Sequence, residues 1–154
     1  MKERFETFTI LISKLNRNIK KIKNYETSEY NLKSIHATCI YYLYINKSLT
    51  ATDLCEKCSE DKSTISKALD YLEKNDYVVC QSKYKKRYNS PFILTERGNI
   101  LGKKIIFKVN SVLNELDLCL SSEERMELYK NLEKISETMN NIVFTLEKGD
   151  KIND

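Results

Sequence analysis

Apolar residues recur every three or four positions in six stretches of this chain, a spacing typical of helices with one buried face. The stretches are residues 2–23, 28–45, 50–58 and 61–75, a long segment after Thr95, and another after Ser121. The predicted N-terminal caps of the last four helices are Thr50 with Asp53, Asp61, Thr95, and Ser121 with Glu124. Two short β-prone runs, Tyr77–Val79 and Pro91–Leu94, flank a basic segment. The pattern predicts a mainly α protein with one small β-hairpin.

The segment from Asp61 to Asn75 has two chemically different sides. The side predicted to pack inward holds four apolar residues at helical spacing, namely Ile65, Ala68, Leu69 and Leu72. The opposite side carries short hydroxyls and lysines, which can reach base edges and phosphates in a major groove. We therefore predict a DNA recognition helix whose contacts come from Lys62, Ser63, Thr64, Ser66 and Lys67.

A basic hairpin follows this helix, and we call its residues 77–94 the wing. Its predicted DNA contacts are Lys83, Lys85, Lys86, Arg87 and Tyr88. Residues 62–88 hold seven Lys and Arg against three Asp and Glu, a balance of +4 that equals the net charge of the whole chain. A charge run is often only a solvated surface, but this one carries all the unbalanced charge, so we interpret it as facing phosphates.

The first and last predicted helices each carry a narrow apolar seam with alternating steps of three and four residues. Residues 1–25 hold seven basic and two acidic side chains, whereas residues 115–154 hold five basic and ten acidic ones. Opposite charges and two uncovered seams predict a homodimer, and an intrachain pairing of the two helices is the alternative. The predicted interface residues are Phe5, Phe8, Ile12, Leu15, Leu128, Leu132, Ile135, Met139 and Ile142.

Together these elements predict a fold class that is mainly α with a small β-wing. Two short helices, a recognition helix and a hairpin in this order are typical of a winged helix-turn-helix. We assign residues 28–98 to a winged helix-turn-helix DNA-binding region, and residues 1–27 and 99–154 to a helical dimerisation base.

The chain has five cysteines and one histidine. The odd cysteine count and an N-terminal MKERFETF without a signal-peptide core argue against a disulfide framework and predict a cytoplasmic protein. Cys55 and Cys58 form a C-x-x-C, for which redox or zinc chemistry competes with plain packing, although a structural zinc needs about four ligands. Cys80 and His36 are further ligand-sensing or redox candidates. We expect no metal and no cofactor.

The sequence resembles the MarR family of winged-helix transcriptional regulators over most of its length. The residues that carry the resemblance are Leu49-Thr50, Asp53-Leu54, Asp61-Lys62-Ser63-Thr64-Ile65-Ser66-Lys67, Leu72-Glu73-Lys74 and Leu94-Thr95-Glu96-Arg97-Gly98. The resemblance implies a homodimer with recognition helices in successive major grooves, wings in the flanking minor grooves and a pseudo-palindromic operator. It also implies a small-molecule site between the dimer base and the DNA-binding lobe. Peroxide-sensing relatives use a first-helix cysteine, which this sequence lacks.

The wing departs from the family pattern. Relatives usually carry an Asp-x-Arg there, and the spacing back from Leu94 puts Lys86 and Tyr88 at those two positions. Arg87, by a shift of one residue, or Lys86 remains to supply the positive charge. The departure bears on how strongly this wing reads sequence rather than DNA shape.

The sequence thus predicts a dimeric, sequence-specific DNA-binding transcriptional regulator, a repressor released by a small-molecule ligand. The alternatives are a thiol-based redox-sensing regulator on the same scaffold and a helix-mediated protein-interaction module. The expected partners are double-stranded operator DNA, a second copy of the chain and a small-molecule effector. We expect no membrane contact and no enzymatic activity, because the chain has neither an 18-residue apolar run nor a Gly-rich phosphate loop or nucleophile–base set.

Overall fold

The computed structural model describes residues 2–81 and 90–149 of the 154-residue chain. In these ranges the elements are α1 (Lys2–Thr27), a 3₁₀ turn (Ser28–Tyr30), α2 (Ser34–Asn46), β1 (Ser48–Leu49), α3 (Ala51–Cys58), α4 (Lys62–Lys74), β2 (Val78–Cys80), β3 (Phe92–Leu94), α5 (Glu96–Asp117) and α6 (Ser122–Gly149). The predicted fold class, mainly α with a small β-wing, is confirmed. The chain forms two compact units, one up to Val109 and one from Asn110 onward.

The core of the first unit lies where α2, α3, α4 and the sheet meet. Its fully buried large side chains come from each of these elements and include Ile40, Leu43, Leu54, Ile65, Leu72 and Val78. All four residues predicted for the inner side of α4 are buried. Burial of these side chains provides the main free energy that holds α4 in place.

Side chains at two N-termini determine where α3 and α4 begin. The Thr50 hydroxyl accepts from the Asp53 N–H at 3.2 Å, while the Asp53 carboxylate accepts from the Thr50 N–H at 2.8 Å. Asp61 caps α4 through both carboxylate oxygens, which accept from the Thr64 N–H and the Thr64 hydroxyl at 2.9 Å each. These hydrogen bonds lower the pKa of Asp61 because they favour its charged form. Both predicted caps are confirmed.

A three-stranded antiparallel sheet in the order β1-β3-β2 packs beside these helices. The pair of β2 with the central strand β3, which the sequence predicts, is joined in register from Val78 opposite Leu94 to Cys80 opposite Phe92. The strand β1 was not predicted, because a two-residue element is too short to show alternation. Its Leu49 is buried and pairs with Phe92.

The predicted helix over residues 28–45 is wrong in its first turns. Residues 28–30 form a 3₁₀ turn, and Asn31 then adopts the left-handed conformation with φ of 55°, which ends it. Leu32 is buried, yet it lies in the loop before α2 rather than on a helix. The Thr27 hydroxyl donates to the Leu32 carbonyl at 3.1 Å and so closes this loop.

Thr95 joins the end of the sheet to the start of α5. Its N–H donates to the Tyr77 carbonyl at 3.1 Å, and its hydroxyl donates to the Asp76 carbonyl at 2.6 Å. The same hydroxyl oxygen accepts from the Gly98 N–H at 3.0 Å, so Thr95 caps α5 as predicted. A β-carbon on Gly98 would lie 2.0 Å from the Tyr77 carbonyl oxygen. Glycine at position 98 therefore permits the close approach of α5 to the segment that leaves α4.

The second unit consists of the end of α5 and the long helix α6. The Ser121 hydroxyl accepts from the Glu124 N–H at 3.2 Å and the Glu124 carboxylate accepts from the Ser121 N–H at 2.8 Å, which confirms the predicted capping box. Arg125 forms an ion pair with Asp117. Among the described side chains of α6, none is buried. None of the described helices combines the length and apolarity that a bilayer crossing requires.

Replacing Gly98 by Ala should lower the free energy of unfolding by about 1–3 kcal/mol, the usual cost of forcing extra atoms into a packed site. The new methyl group would press on backbone, the Tyr77 carbonyl, which cannot move as a flexible side chain can. Urea denaturation measures the change, and the exposed Lys103→Ala on the same helix is the matched control. Equal midpoints for Gly98→Ala and wild type would contradict this close packing.

Asp61→Asn should remove the charge of the α4 cap while keeping a side chain that caps helices. Because the folded-state pKa of Asp61 is lowered, the charge stabilises the fold above its unfolded pKa, about 4, and this contribution is lost as pH falls through the lower folded value. Wild type should therefore exceed the variant in stability at neutral pH, and the two should converge in acid. Urea midpoints across pH measure this, with Glu56→Gln as control. A difference that persists unchanged in acid would refute the role of the charge.

Candidate nucleic-acid interface

The outer side of α4 presents hydroxyls and ammonium groups to solvent. Ser63, Ser66 and Lys67 are exposed, as are Lys62 at the first position of the helix and Lys74 at its last. Residues 63, 66, 67, 70 and 74 recur at helical spacing, so they share one face, directly opposite the buried face of α4. The helix thus has a rigid apolar side and a polar side with donors that fit a major groove.

Thr64 differs from the other predicted contacts on this helix. Its side chain is half-buried, and its hydroxyl donates to the Asp61 carboxylate at 2.9 Å. The hydroxyl hydrogen therefore serves the cap of α4. A contact from Thr64 to DNA would have to use its methyl group, its hydroxyl oxygen as acceptor, or a change of rotamer.

Contacts from α2 and from the loop before it support the side of α4 that packs against α2. The His36 ring stacks on the Tyr71 ring with centroids 4.3 Å apart and planes 5° from parallel. The Tyr71 hydroxyl donates to the Asn31 carbonyl at 2.9 Å. His36 Nδ1 accepts from the Lys33 N–H at 3.2 Å, and burial lowers the pKa of His36, with the nearby Lys33 charge adding to the effect. His36 is therefore a hydrogen-bonded, stacked residue that supports α4.

A groove of about 430 Å³ runs beside the exposed face, between α3, α4 and β3. Its walls are mostly apolar, with polar groups at the rim, and its lining is Ala51, Thr52, Cys55, Lys62, Ser63, Ser66, Leu69, Asp70 and Phe92. Thr52 of α3 is exposed at this rim and was not among the predicted contacts. Its position two residues after the Thr50 cap, in the first turn of α3, was the signal available in the sequence.

The tip of the wing lies outside the described residues. The five predicted contacts Lys83, Lys85, Lys86, Arg87 and Tyr88 belong to it. The strands that lead to the tip are described, and they pack beside α4, with Val78 and Phe92 both buried. The two strands of the wing, β2 and β3, are therefore part of the same core as α4.

The candidate redox residues lie in different surroundings. Cys55 is half-buried in the wall of the groove, and burial raises the pKa of its thiol. Cys80 is half-buried at the end of β2. Cys58, the last residue of α3, is half-buried and packs against the core that contains the buried Cys39 of α2. Cys39 was not a predicted site residue, because it reads as one more apolar position on α2.

The residues predicted for a dimer interface leave large apolar areas uncovered in the single chain. On α1, Ile12 is 41% exposed and Leu15 is 58% exposed, while Phe8 is half-buried and the side chain of Phe5 lies outside the described part. On α6 every predicted interface residue is at least 39% exposed, and these are Leu128, Leu132, Ile135, Met139 and Ile142. An apolar surface of this length on a folded protein is typical of a partner contact.

Comparison with known proteins agrees with the winged helix-turn-helix fold described above. A model of the MarR family matches residues 30–87. The HTH-type transcriptional regulator SarZ of Staphylococcus aureus is 30% identical over 114 residues, which cover 74% of this chain and 75% of SarZ.

Solved structures show the same fold at lower sequence identity. A MarR-family transcriptional regulator from Listeria monocytogenes, complexed with a 26-mer DNA, matches with a TM-score of 0.78 at 23% identity and covers 90% of this chain and 92% of its own. The Staphylococcus aureus MarR in complex with salicylate and kanamycin matches with a TM-score of 0.73 at 15% identity and covers 91% and 92%. These likenesses, above all the match to SarZ over most of both chains, assign this chain to the MarR family of transcriptional regulators.

Proposed function

We propose that this protein is a homodimeric, sequence-specific DNA-binding repressor that a small-molecule ligand releases from its operator. The observation that carries the proposal is the exposed face of α4, where Ser63, Ser66 and Lys67 stand on a helix whose other side is fully buried. A rigid helix with hydroxyls and lysines near its N-terminus suits direct reading of a major groove.

Charge supports DNA as the partner. The window from Lys62 to Tyr88 carries a charge of +4, equal to that of the whole chain, and it covers α4 and the first two thirds of the wing. Cationic groups on α4 and the wing would displace counterions from DNA phosphates and supply much of the affinity. The hydroxyls on the helix, whose positions depend on the core, would add contacts to base edges.

The uncovered apolar residues of α1 and α6 support a second copy of this chain as the partner. A 28-residue helix without one buried residue among its described side chains gains no core packing in the monomer. Residues 1–25 carry +5 and residues 115–154 carry −5, so the first segment of one copy is complementary to the last segment of another. We assign residues 1–27 and 99–154 to this dimer base and residues 28–98 to DNA binding.

A ligand-released mechanism is supported by the structure of Staphylococcus aureus MarR in complex with salicylate and kanamycin. In this chain the 22-residue helix α5 begins at the Thr95 cap beside the sheet and continues without a break into the second compact unit. A ligand that favours one placement of this helix would change the spacing of the two recognition helices, which must match half-sites one helical turn apart.

Lys67→Ala should weaken binding to an operator selected from random DNA by about 1–3 kcal/mol and reduce the log–log salt slope by about 1. Lys67 is exposed on the polar face of α4, so the change removes a cation without disturbing the core. Fluorescence anisotropy at several salt concentrations measures both quantities. The control is Lys103→Ala, which removes the same charge from α5 and should leave binding unchanged. A wild-type affinity that does not depend on salt would overturn the proposed role of the charged face.

Ile135→Lys should dissociate the dimer, whereas Glu137→Lys on the same helix should not. Ile135 lies on the apolar seam of α6 and is 39% exposed in the single chain, while Glu137 lies off the seam. Light scattering after size exclusion should give wild type twice the 18.1 kDa of one chain. A monomeric wild type that binds the helix of another protein would instead favour the interaction-module alternative.

A further inference from the structure

The segment between α1 and α2 is closed by its own hydrogen bonds. We call residues 26–31 the connector; it comprises the end of α1 and the 3₁₀ turn. The Asn31 N–H donates to the Ser28 carbonyl at 3.0 Å. The buried Thr27 closes the turn, because its hydroxyl donates to the Leu32 carbonyl at 3.1 Å and its carbonyl accepts from the Leu32 N–H at 3.3 Å. Hydrogen bonds that satisfy the polar groups of a segment in this way make it rigid.

A lysine of α5 contacts the first half of the connector. The Nζ of Lys108 lies 2.9 Å from the Glu26 carbonyl oxygen, 3.0 Å from Glu29 Oε1 and 3.2 Å from Glu26 Oε2. These three oxygens match the three N–H donors of an ammonium group. One turn earlier on the same helix, the Lys104 Nζ lies 5.5 Å from the centre of the Tyr30 ring. Two successive turns of α5 therefore contact the connector.

Tyr71 of α4 contacts the other end of the connector. Its hydroxyl donates to the Asn31 carbonyl at 2.9 Å, although the two residues are 40 positions apart in the sequence. Its ring stacks on the His36 ring of α2, which holds the hydroxyl in place. Lys108 and Tyr71 both belong to the first compact unit. The connector therefore joins α5 to α4 within one unit.

The first turns of α5 are held to the core independently of Lys108. Gly98 lies against the Tyr77 carbonyl, and a β-carbon on Gly102 would lie 2.6 Å from Cδ2 of the Tyr44 ring. Lys108 is six residues beyond Gly102, about 9 Å further along the helix. Its contacts therefore act near the end of the first unit, where they set the position of the connector relative to the second half of α5.

We propose that Lys108 is a positioning residue for α4: it fixes the connector against α5, and the connector fixes the second half of α4 through Tyr71. The effect on DNA affinity rests on the proposed function, whereas the link between α5 and α4 does not. Because α5 continues into the second unit, a displacement of this helix would reach α4 through the connector. Lys67, on the exposed face of α4, lies about one helical turn before Tyr71.

The contacts of Lys108 can position the connector without adding much stability. The Lys108 side chain is 33% exposed and the Glu29 side chain is 56% exposed, and ion pairs at such positions contribute little to the free energy of unfolding. Removing them should leave the protein folded and change where the connector lies. A loss of DNA affinity in such a variant would then come from the position of α4 rather than from unfolding.

Hydrogen–deuterium exchange on the full-length protein tests the link without DNA. Lys108→Met removes the ammonium group and keeps the length of the side chain. It should speed the exchange of amides in residues 26–33 and in residues 71–75 by about tenfold, with the urea midpoint close to that of wild type. Lys108→Arg, which keeps the charge and several donors, should restore slow exchange. Lys103→Met, which changes an exposed lysine of the same helix, should behave like wild type.

Two results of this experiment would overturn the link. The first is exchange that stays slow in residues 71–75 of Lys108→Met, whether or not the connector itself exchanges faster. The second is faster exchange throughout the core together with a lower urea midpoint, because that pattern shows a general loss of stability.

A double-mutant cycle on selected operator DNA measures the consequence, with anisotropy as the readout. Lys108→Met and Tyr71→Phe, which removes the hydroxyl and keeps the stacked ring, should each weaken binding about fivefold. The double variant should be no weaker than either single variant, because both changes break the same link. Effects that multiply in the double variant, or an unchanged affinity of Lys108→Met, overturn the positioning role. If wild type binds no DNA, the proposed function fails, and the exchange experiment still decides the link.

Discussion

Burial of one face of α4 is the constraint on which the DNA-binding unit depends. Ile65 and Leu72 are wholly inaccessible in a core shared with α2, α3 and the sheet. Once these side chains are buried, the helix has no rotational freedom about its axis, and its hydroxyls and lysines must face outward. The same packing that stabilises the fold therefore orients the residues that would meet DNA. Truncating a buried aliphatic side chain of this kind costs about 2–5 kcal/mol.

The core fixes how the helices pack, and polar contacts define where the helices begin and end. The Asp61 cap fixes where α4 starts, and the stack of Tyr71 on His36 fixes its second half against α2. At the other end, Thr95 and Gly98 bring α5 against the Tyr77 carbonyl. The Thr-x-x-Gly of the family resemblance thus has a structural explanation: one residue supplies a cap, and the other supplies the absence of a side chain.

In contrast to this well-packed core, the apolar side chains of α1 and α6 are largely exposed in a single chain. Leu15 of α1 and Met139 of α6 are each at least half exposed, in helices with many charged residues. The hydrophobic effect disfavours such exposure at each of these positions, and association of two copies is the simplest way to relieve it. A repressor that reads a two-fold symmetric operator needs two recognition helices at a defined spacing, so the same association would serve both stability and recognition.

The sequence alone determined the helical character of the chain, the inner and outer sides of α4, and the caps at Thr50, Asp61, Thr95 and Ser121, because each depends on residues three or four positions apart. Only the tertiary structure decided features that join distant segments. The strand β1 exists because Leu49 reaches Phe92, and Leu32 is buried although no helix holds it. Cys58 packs against the core that contains Cys39, 19 positions earlier in the chain. Such contacts are set by how elements pack against one another, and that packing leaves no periodic trace in the order of the residues.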